Sequence, residues 1–236
     1  MQVKSILIAT FIFLIIVLGL LNLSTKLPQS PSNQDQTPET TQPEPLISFI
    51  DTPQTTQSQG TEFDQTKDYQ AIFNTNLGNF KLDLFEKQSP VTVGNFVKLA
   101  KSGFYDGQRF HRVIDGFMIQ SGDPYSKSVE NKALWGTGGP GYVIYDEYIE
   151  GLSNVRGTIA MANKGAPQTG GSQFFINIVD NTYLDWDKEP LQSRHPVFGK
   201  VIEGMDIVDA ISKVATDQGS APLEDVIITK LEVIEL

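Results

Sequence analysis

The sequence predicts a mainly β domain, a closed eight-stranded antiparallel β-barrel capped by two α-helices, carried behind a single transmembrane helix and a disordered linker. Three patterns lead to it. Eight short runs after residue 66 are rich in β-branched and aromatic residues and are bounded by Gly, Pro, Asn or Asp, as strands and turns are. Two stretches instead repeat their apolar residues at helical spacing. Ahead of both lie an uncharged apolar run and a proline-crowded segment with no period.

Residues 1–4 are a short flank carrying Lys4, and residues 5–25 contain no charge. A helix over 5–25 rises about 31 Å, enough for a bilayer core. Lys4 also suits a cleaved signal peptide, but residues 19–24 offer no A-x-A-like site, so an uncleaved anchor is expected and secretion after cleavage is the alternative. Lys4 is balanced by Lys26, which leaves orientation weakly set. A large C-terminal domain after one apolar segment is usually translocated, so the expected location is the cell membrane with that domain extracytoplasmic. Residues 26–66 are dominated by Pro, Gln, Ser and Thr, with Pro28, Pro31, Pro38, Pro43, Pro45 and Pro53 too closely spaced for helix or central strand. Such a tether has an end-to-end distance of about 35 to 40 Å.

The globular part is placed at 67–236. Strands are expected at 69–76 and 80–86, with a turn around Leu77-Gly78-Asn79. A helix follows: Ser89 as N-cap, Pro90 at its first position, an apolar stripe of Val93, Phe96, Val97 and Ala100, and Gly103 at its end. Further strands are expected at 110–114, 117–120, 158–161, 173–178, 197–201 and 226–234, with a second helix over 205–214. Closing such strands into a barrel removes exposed edges.

Composition removes several chemistries. A formal net charge of -10 disfavours nucleic acid, which demands Lys and Arg to displace counterions. The absence of cysteine excludes disulfides, thiol nucleophiles, zinc-cysteine sites and lipid-modified cysteine anchors. With His111 and His195 the only histidines, a histidine-rich metal site is not expected, although composition leaves carboxylate-bound calcium open.

Two runs remain as candidate chemistry. Residues 110–123, FHRVIDGFMIQSGD, place Arg112 just before Phe117, Met118 and Gln120, a groove for an apolar ring with one fixed cation. In 173–178, alternation puts Phe174, Ile176 and Ile178 on one face, expected to be core, and Gln173, Phe175 and Asn177 on the other. Phe175 then lies among polar neighbours as a candidate binding surface. His111 is expected to be structural, turned away from Arg112. The run GTGGPG at 136–141 formally fits a dinucleotide loop but neither follows a convincing strand nor opens a helix, and Ser172 lacks a nucleophile elbow.

Taken with Met161-Ala162-Asn163 and GSQFFI at 171–176, residues 110–123 resemble cyclophilins, the barrel-shaped peptidyl-prolyl cis-trans isomerases. The resemblance extends from about Tyr69 to the C-terminus. It implies Arg112 as the catalytic residue and Phe175 as the floor of a proline pocket, with Phe117, Met118, Leu184 and His195 holding the ring. Gln120 and Asn163 would bind peptide backbone, with Ala162 and Gln173 beside them, and Tyr183 would stand on the far wall. Tryptophan often stands where Tyr183 does; tyrosine keeps an aromatic face, so the change bears on cyclosporin-type inhibitors more than on catalysis. The loop 185–194 is longer than in compact members.

The implied activity is isomerisation of X-Pro bonds in extracytoplasmic proteins, assisting their folding, with no metal or cofactor. The expected partners are proline-containing segments of client proteins and, through the N-terminal helix, the membrane; a monomer is expected. The alternative is a membrane-tethered module that binds proline peptides with little or no catalysis.

Overall fold

The computed structural model describes residues 63–188 and 194–236. The expected membrane helix at 5–25, nearly all of the linker and residues 189–193 of the long loop lie outside the described residues. Among the described residues no helix is long and apolar enough to cross a membrane.

The domain opens with a hairpin, β1 (Tyr69–Thr75) and β2 (Gly78–Leu84), whose turn is Asn76-Leu77 and not Leu77-Gly78-Asn79. The Thr75 hydroxyl decides this: it donates to the Gly78 carbonyl at 2.6 Å and accepts from the Leu77 N–H at 3.1 Å. Gly78 takes φ +129, which a side chain would resist. Helix α1 (Pro90–Lys101) follows, then β3 (Arg112–Ile114), β4 (Met118–Ser121), β5 (Thr158–Met161), β6 (Phe174–Asn177), β7 (Val197–Glu203), α2 (Met205–Ser212) and β8 (Ile228–Glu235).

All eight strands join one curled sheet in the order β3-β4-β6-β5-β7-β2-β1-β8, every pairing antiparallel. The closed barrel expected from the sequence is corrected: β3 and β8 are the two end strands of the sheet and do not pair with each other in a ladder. Pairing starts at Arg112, later than the expected Phe110, because the preceding residues meet β8 irregularly. Gly107 donates to Ile228 O at 2.8 Å, Ile228 to Gln108 O at 2.8 Å and Phe110 to Val226 O at 2.9 Å. This seam brings the edges together without a ladder.

The concave face holds the main core. Phe73 stacks on Phe80 at 4.6 Å and meets Phe174 edge-on at 5.6 Å, while Phe96 of α1 reaches Phe174, Tyr105 and Phe198 at 5.2 to 5.9 Å. The stripe predicted for α1 is the one it buries, with Val93, Phe96, Val97 and Ala100 all inside. Truncating one such phenylalanine to alanine costs about 3 to 5 kcal/mol. Phe63, in the expected linker, stacks on Tyr69 at 5.2 Å.

The start of α1 departs from expectation. Ser89 occupies the N-cap position, but its hydroxyl makes no capping bond and turns to the Val197 carbonyl at 3.4 Å. Glu147 caps instead, its carboxylate accepting from Val91 N at 3.0 Å, Thr92 N at 2.7 Å and Thr92 Oγ1 at 2.7 Å. Pro90 has no N–H to satisfy.

A second, smaller apolar cluster lies on the opposite face of β4, β6 and β5: Met118, Ala160, Phe175, Leu184 and Val197, edged by Ile114, Phe117 and Ala162.

Candidate active site

Strand register assembles the site. Arg112 pairs with Gln120 across β3–β4, Gln120 with Phe175 across β4–β6, and Phe175 with Ala160 across β6–β5. Directly paired residues share a face, so these four form one row across the outer surface. The adjacent row, Val113, Ile119, Ile176 and Ile159, points into the core.

A cavity of about 200 Å³ stands over the first row, lined by Arg112, Phe117, Met118, Gln120, Ala162, Asn163, Phe175, Leu184 and His195. Nine of the residues singled out in the sequence thus converge there. Gln173 instead lines an adjoining cavity of about 470 Å³, walled by the glycine-rich loop 136–141 and Tyr142 and sharing Gln120, Ala162 and Asn163 with the smaller one. Tyr183 is 60% exposed and does not line the smaller cavity; its ring stacks on Phe117 at 6.3 Å and extends that wall outward.

Arg112 is half-buried. Its Nη1 donates to Gln120 Oε1 at 3.3 Å, and its guanidinium carbon stands 5.9 Å from the centre of the Phe117 ring. No carboxylate among the described residues forms an ion pair with it. Burial draws its pKa below the ordinary arginine value, yet a guanidinium stays protonated at neutral pH. The site therefore keeps a fixed cation whose charge no anion among the described residues neutralises through an ion pair.

Phe175 forms the floor, but the expectation that its ring lacks packed neighbours is corrected. It is 4% exposed, held among Met118, Ala160, Leu184 and Val197, with the His195 ring edge-on at 5.1 Å. Alternation fixed its face and could not show that a second cluster covers that face. His195 Nδ1 lies 2.9 Å from the Met161 carbonyl, which can only accept, so Nδ1 carries the proton and Nε2 a lone pair. Burial lowers the pKa of His195, against smaller opposing effects of that bond and of Asp146, and favours the neutral ring.

The Asn163 side chain is engaged within the protein: Nδ2 donates to Arg194 O at 2.6 Å, on the segment that leads into β7, and Oδ1 accepts from Gly165 N at 3.0 Å, in its own turn. His111 is 5% exposed, and neither ring nitrogen has a hydrogen-bond partner. Burial pulls its pKa to about 4, so it is neutral at pH 7.

A family model described as cyclophilin type peptidyl-prolyl cis-trans isomerase/CLD matches residues 71–233, which hold both helices and every lining residue of the smaller cavity. The chain belongs to the cyclophilin-type peptidyl-prolyl cis-trans isomerases. Peptidyl-prolyl cis-trans isomerase B of Escherichia coli (strain K12) is 44% identical over 168 residues, covering 69% of this chain and 98% of that protein. Peptidyl-prolyl cis-trans isomerase CYP71 of Arabidopsis thaliana is 41% identical over 163 residues, 69% of this chain but only 24% of that much longer protein. Among solved structures, a cyclophilin type peptidyl-prolyl cis-trans isomerase of Cryptosporidium parvum superposes with a TM-score of 0.62 at 32% identity, over 71% of this chain and 98% of its own. A second structure of it, in the presence of the dipeptide Ala-Pro, gives 0.61 at 31%, over 70% and 98%.

This cyclophilin also contains supporting residues that sequence reasoning missed. Asn181 Nδ2 donates to Phe117 O at 2.9 Å and to Asn177 Oδ1 at 2.8 Å, Asn177 Nδ2 reaches Asn154 Oδ1 at 3.2 Å, and Asn154 Nδ2 reaches His195 O at 3.2 Å. Asp185 accepts from the Asn154 main chain at 2.7 Å. Two walls of the cyclophilin pocket are thus tied together through buried amides. Asn177, a polar residue on the non-core face of an apolar strand, is the one member of this set marked by its sequence pattern. Among the described residues no cluster of three or more His, Cys, Asp or Glu is placed to hold a metal ion.

Proposed function

We propose that this chain catalyses rotation about X-Pro bonds in the cavity above Phe175, with Arg112 as the catalytic group. The observation that carries the reading is a cation without an ion-pair partner among the described residues, lining a cavity of about 200 Å³ beside Phe117, Met118, Phe175 and Leu184. Amide rotation has a barrier of about 18 to 20 kcal/mol set by resonance. The twisted transition state localises a lone pair on the prolyl nitrogen and breaks no bond. A hydrogen bond from Arg112 to that nitrogen favours the twisted state over the planar one, which is differential binding. Lowering the barrier by about 7 kcal/mol accelerates rotation roughly 10⁵-fold.

Met118, Phe175, Leu184 and His195 hold the proline ring, Phe117 and Tyr183 form the outer wall, and Gln120 receives backbone. With its side chain committed, Asn163 meets the peptide through its main chain, beside Ala162. The presence of an Ala-Pro dipeptide in a structure of the Cryptosporidium parvum relative supports a proline-containing ligand. NMR exchange on an Ala-Pro peptide tests the reading. Enhanced exchange with the full chain, lost in a folded Arg112→Ala variant, is the expected result. Full activity in that variant overturns it, and shift changes without exchange indicate a proline-peptide binder.

The clients are segments of extracytoplasmic proteins whose folding the domain assists, and the chain acts as a monomer tethered through residues 5–25. The uncharged length of that run and the proline-rich spacer after it support this placement. Protease accessibility of the C-terminal domain in intact cells is the expected result; protection there places the domain in the cytoplasm.

A further inference from the structure

Asp123 lies just past the end of β4 with no exposed surface, and its carboxylate has two separate tasks. Oδ1 accepts from Tyr125 N at 2.8 Å, which caps the 3-10 turn Pro124–Lys127. Oδ2 accepts from Gly136 N and, at 3.2 Å, from Gly138 N, both outside that turn in the glycine-rich loop. Capping alone does not require the second set of bonds.

From Gly138 a line of hydrogen bonds runs to Arg112. The Gly138 carbonyl accepts from Gln173 Nε2 at 2.8 Å, Gln173 Oε1 accepts from Gln120 Nε2 at 3.0 Å, and Gln120 Oε1 accepts from Arg112 Nη1 at 3.3 Å. Each side-chain amide has one accepting end and one donating end, so each fixes the orientation of the next. Because Gly138 presents an oxygen, Gln173 turns its nitrogen to it and its oxygen to Gln120. Gln120 in turn offers its oxygen to Arg112. The carbonyl belongs to the Gly138–Gly139 peptide, one plane beyond the N–H that Asp123 holds; its reversal would reverse both amides and set an NH₂ group against the guanidinium.

We propose that Asp123 is a positioning residue for isomerisation: by holding the Gly136 and Gly138 N–H groups it places the Gly138 backbone where the carbonyl of the following peptide meets Gln173, and so supports the polarity of the Gln173–Gln120 relay in which Arg112 faces an acceptor. The proposal rests on the reading of Arg112 as the catalytic group. Gly138 is where the constraint acts, since a Cβ there would stand 2.2 Å from Asp123 Oδ1 and 2.9 Å from the Tyr125 ring.

Asp123→Asn in the full chain exchanges one carboxylate oxygen for a donor, and either rotamer loses Tyr125 or the loop amides. The expected result is a fall of about tenfold in kcat with KM nearly unchanged, because the ring pocket is untouched. Combined with Gln173→Leu, which cuts the relay, Asp123→Asn should cost less than about twofold further. A structural role instead predicts the same fold-loss in both backgrounds, and that result overturns the proposal. Should Asp123→Asn fail to fold, Gly138→Ala displaces the loop from the other side and is read by the same cycle; wild-type kcat in a folded Gly138→Ala variant then overturns it. Arg112→Ala separates the two levels. If that variant is active, the reading of Arg112 fails; if it is inactive while Asp123→Asn retains wild-type kcat, only the relay fails.

Discussion

Replacing Glu147 with alanine removes the N-terminal cap of α1 from 55 residues away, a separation given by its bond to the Thr92 N–H. The carboxylate holds the N–H groups of Val91 and Thr92 and the hydroxyl of Thr92, a residue only 1% exposed. Losing an N-cap costs about 1 to 2 kcal/mol, and the anion's interaction with the helix dipole contributes about 0.3 to 1 kcal/mol more. The orphaned Thr92 hydroxyl loses one further bond of about 1 kcal/mol. These contributions overlap, so Glu147→Ala should destabilise the domain by about 2 to 3 kcal/mol, and Glu147→Gln, with one accepting oxygen, by about half as much. The corresponding fall in melting temperature is about 5 to 10 °C. Urea denaturation of both variants measures it, and a cycle with Thr92→Val isolates the hydroxyl, whose effect should vanish once Glu147 is gone. A loss below about 0.5 kcal/mol in Glu147→Ala, the range of inert surface changes, would refute the reasoning.

Gly122→Ala should cost about 3 to 4 kcal/mol, because φ is +90 and a Cβ would stand 2.2 Å from Ser172 O; an unchanged urea midpoint contradicts this. His111, drawn by burial from 6.5 to about 4, makes stability pH-dependent. Its contribution is complete above about pH 6.5 and lost as pH falls towards 4, by about 3 kcal/mol in all, since the unfolded chain binds the proton first. His195 adds in the same direction, so His111→Phe should lessen the acid sensitivity seen in melts between pH 7 and 4 without abolishing it. His195→Phe keeps a ring edge-on to Phe175 but loses the bond to Met161 O, and activity in a protease-coupled assay should fall about tenfold, equivalent to about 1.4 kcal/mol. Undiminished activity would show that the imidazole nitrogens contribute nothing.

Alternation is a local property of a strand, which is why the sequence assigned Phe174 and Ile176 to the core and Phe175 to the other face, and why the stripe of α1 was readable from its spacing. Motif order supplied the rest of the pocket list, and Arg112, Gln120 and Phe175 meet because β3, β4 and β6 lie side by side in the sheet and pair in register. Local pattern could not show the packing that covers Phe175, or that Tyr183 would stack outside the cavity on Phe117. Nor could it show that the sheet stops short of closure, which depends on how the residues before β3 meet β8.

By itself the sequence determined which residues alternate, where helices run, which chemistries are absent and which family the motifs resemble. Tertiary structure decided the partners of the polar groups: Glu147 for the start of α1, Asp123 for the glycine-rich loop, the asparagines that join the pocket walls. A side chain's face follows from its neighbours along the chain, whereas its hydrogen-bond partner is whatever the fold brings within about 3 Å of it. For Arg112 that partner is Gln120, and behind Gln120 stand Gln173 and the Gly138 carbonyl.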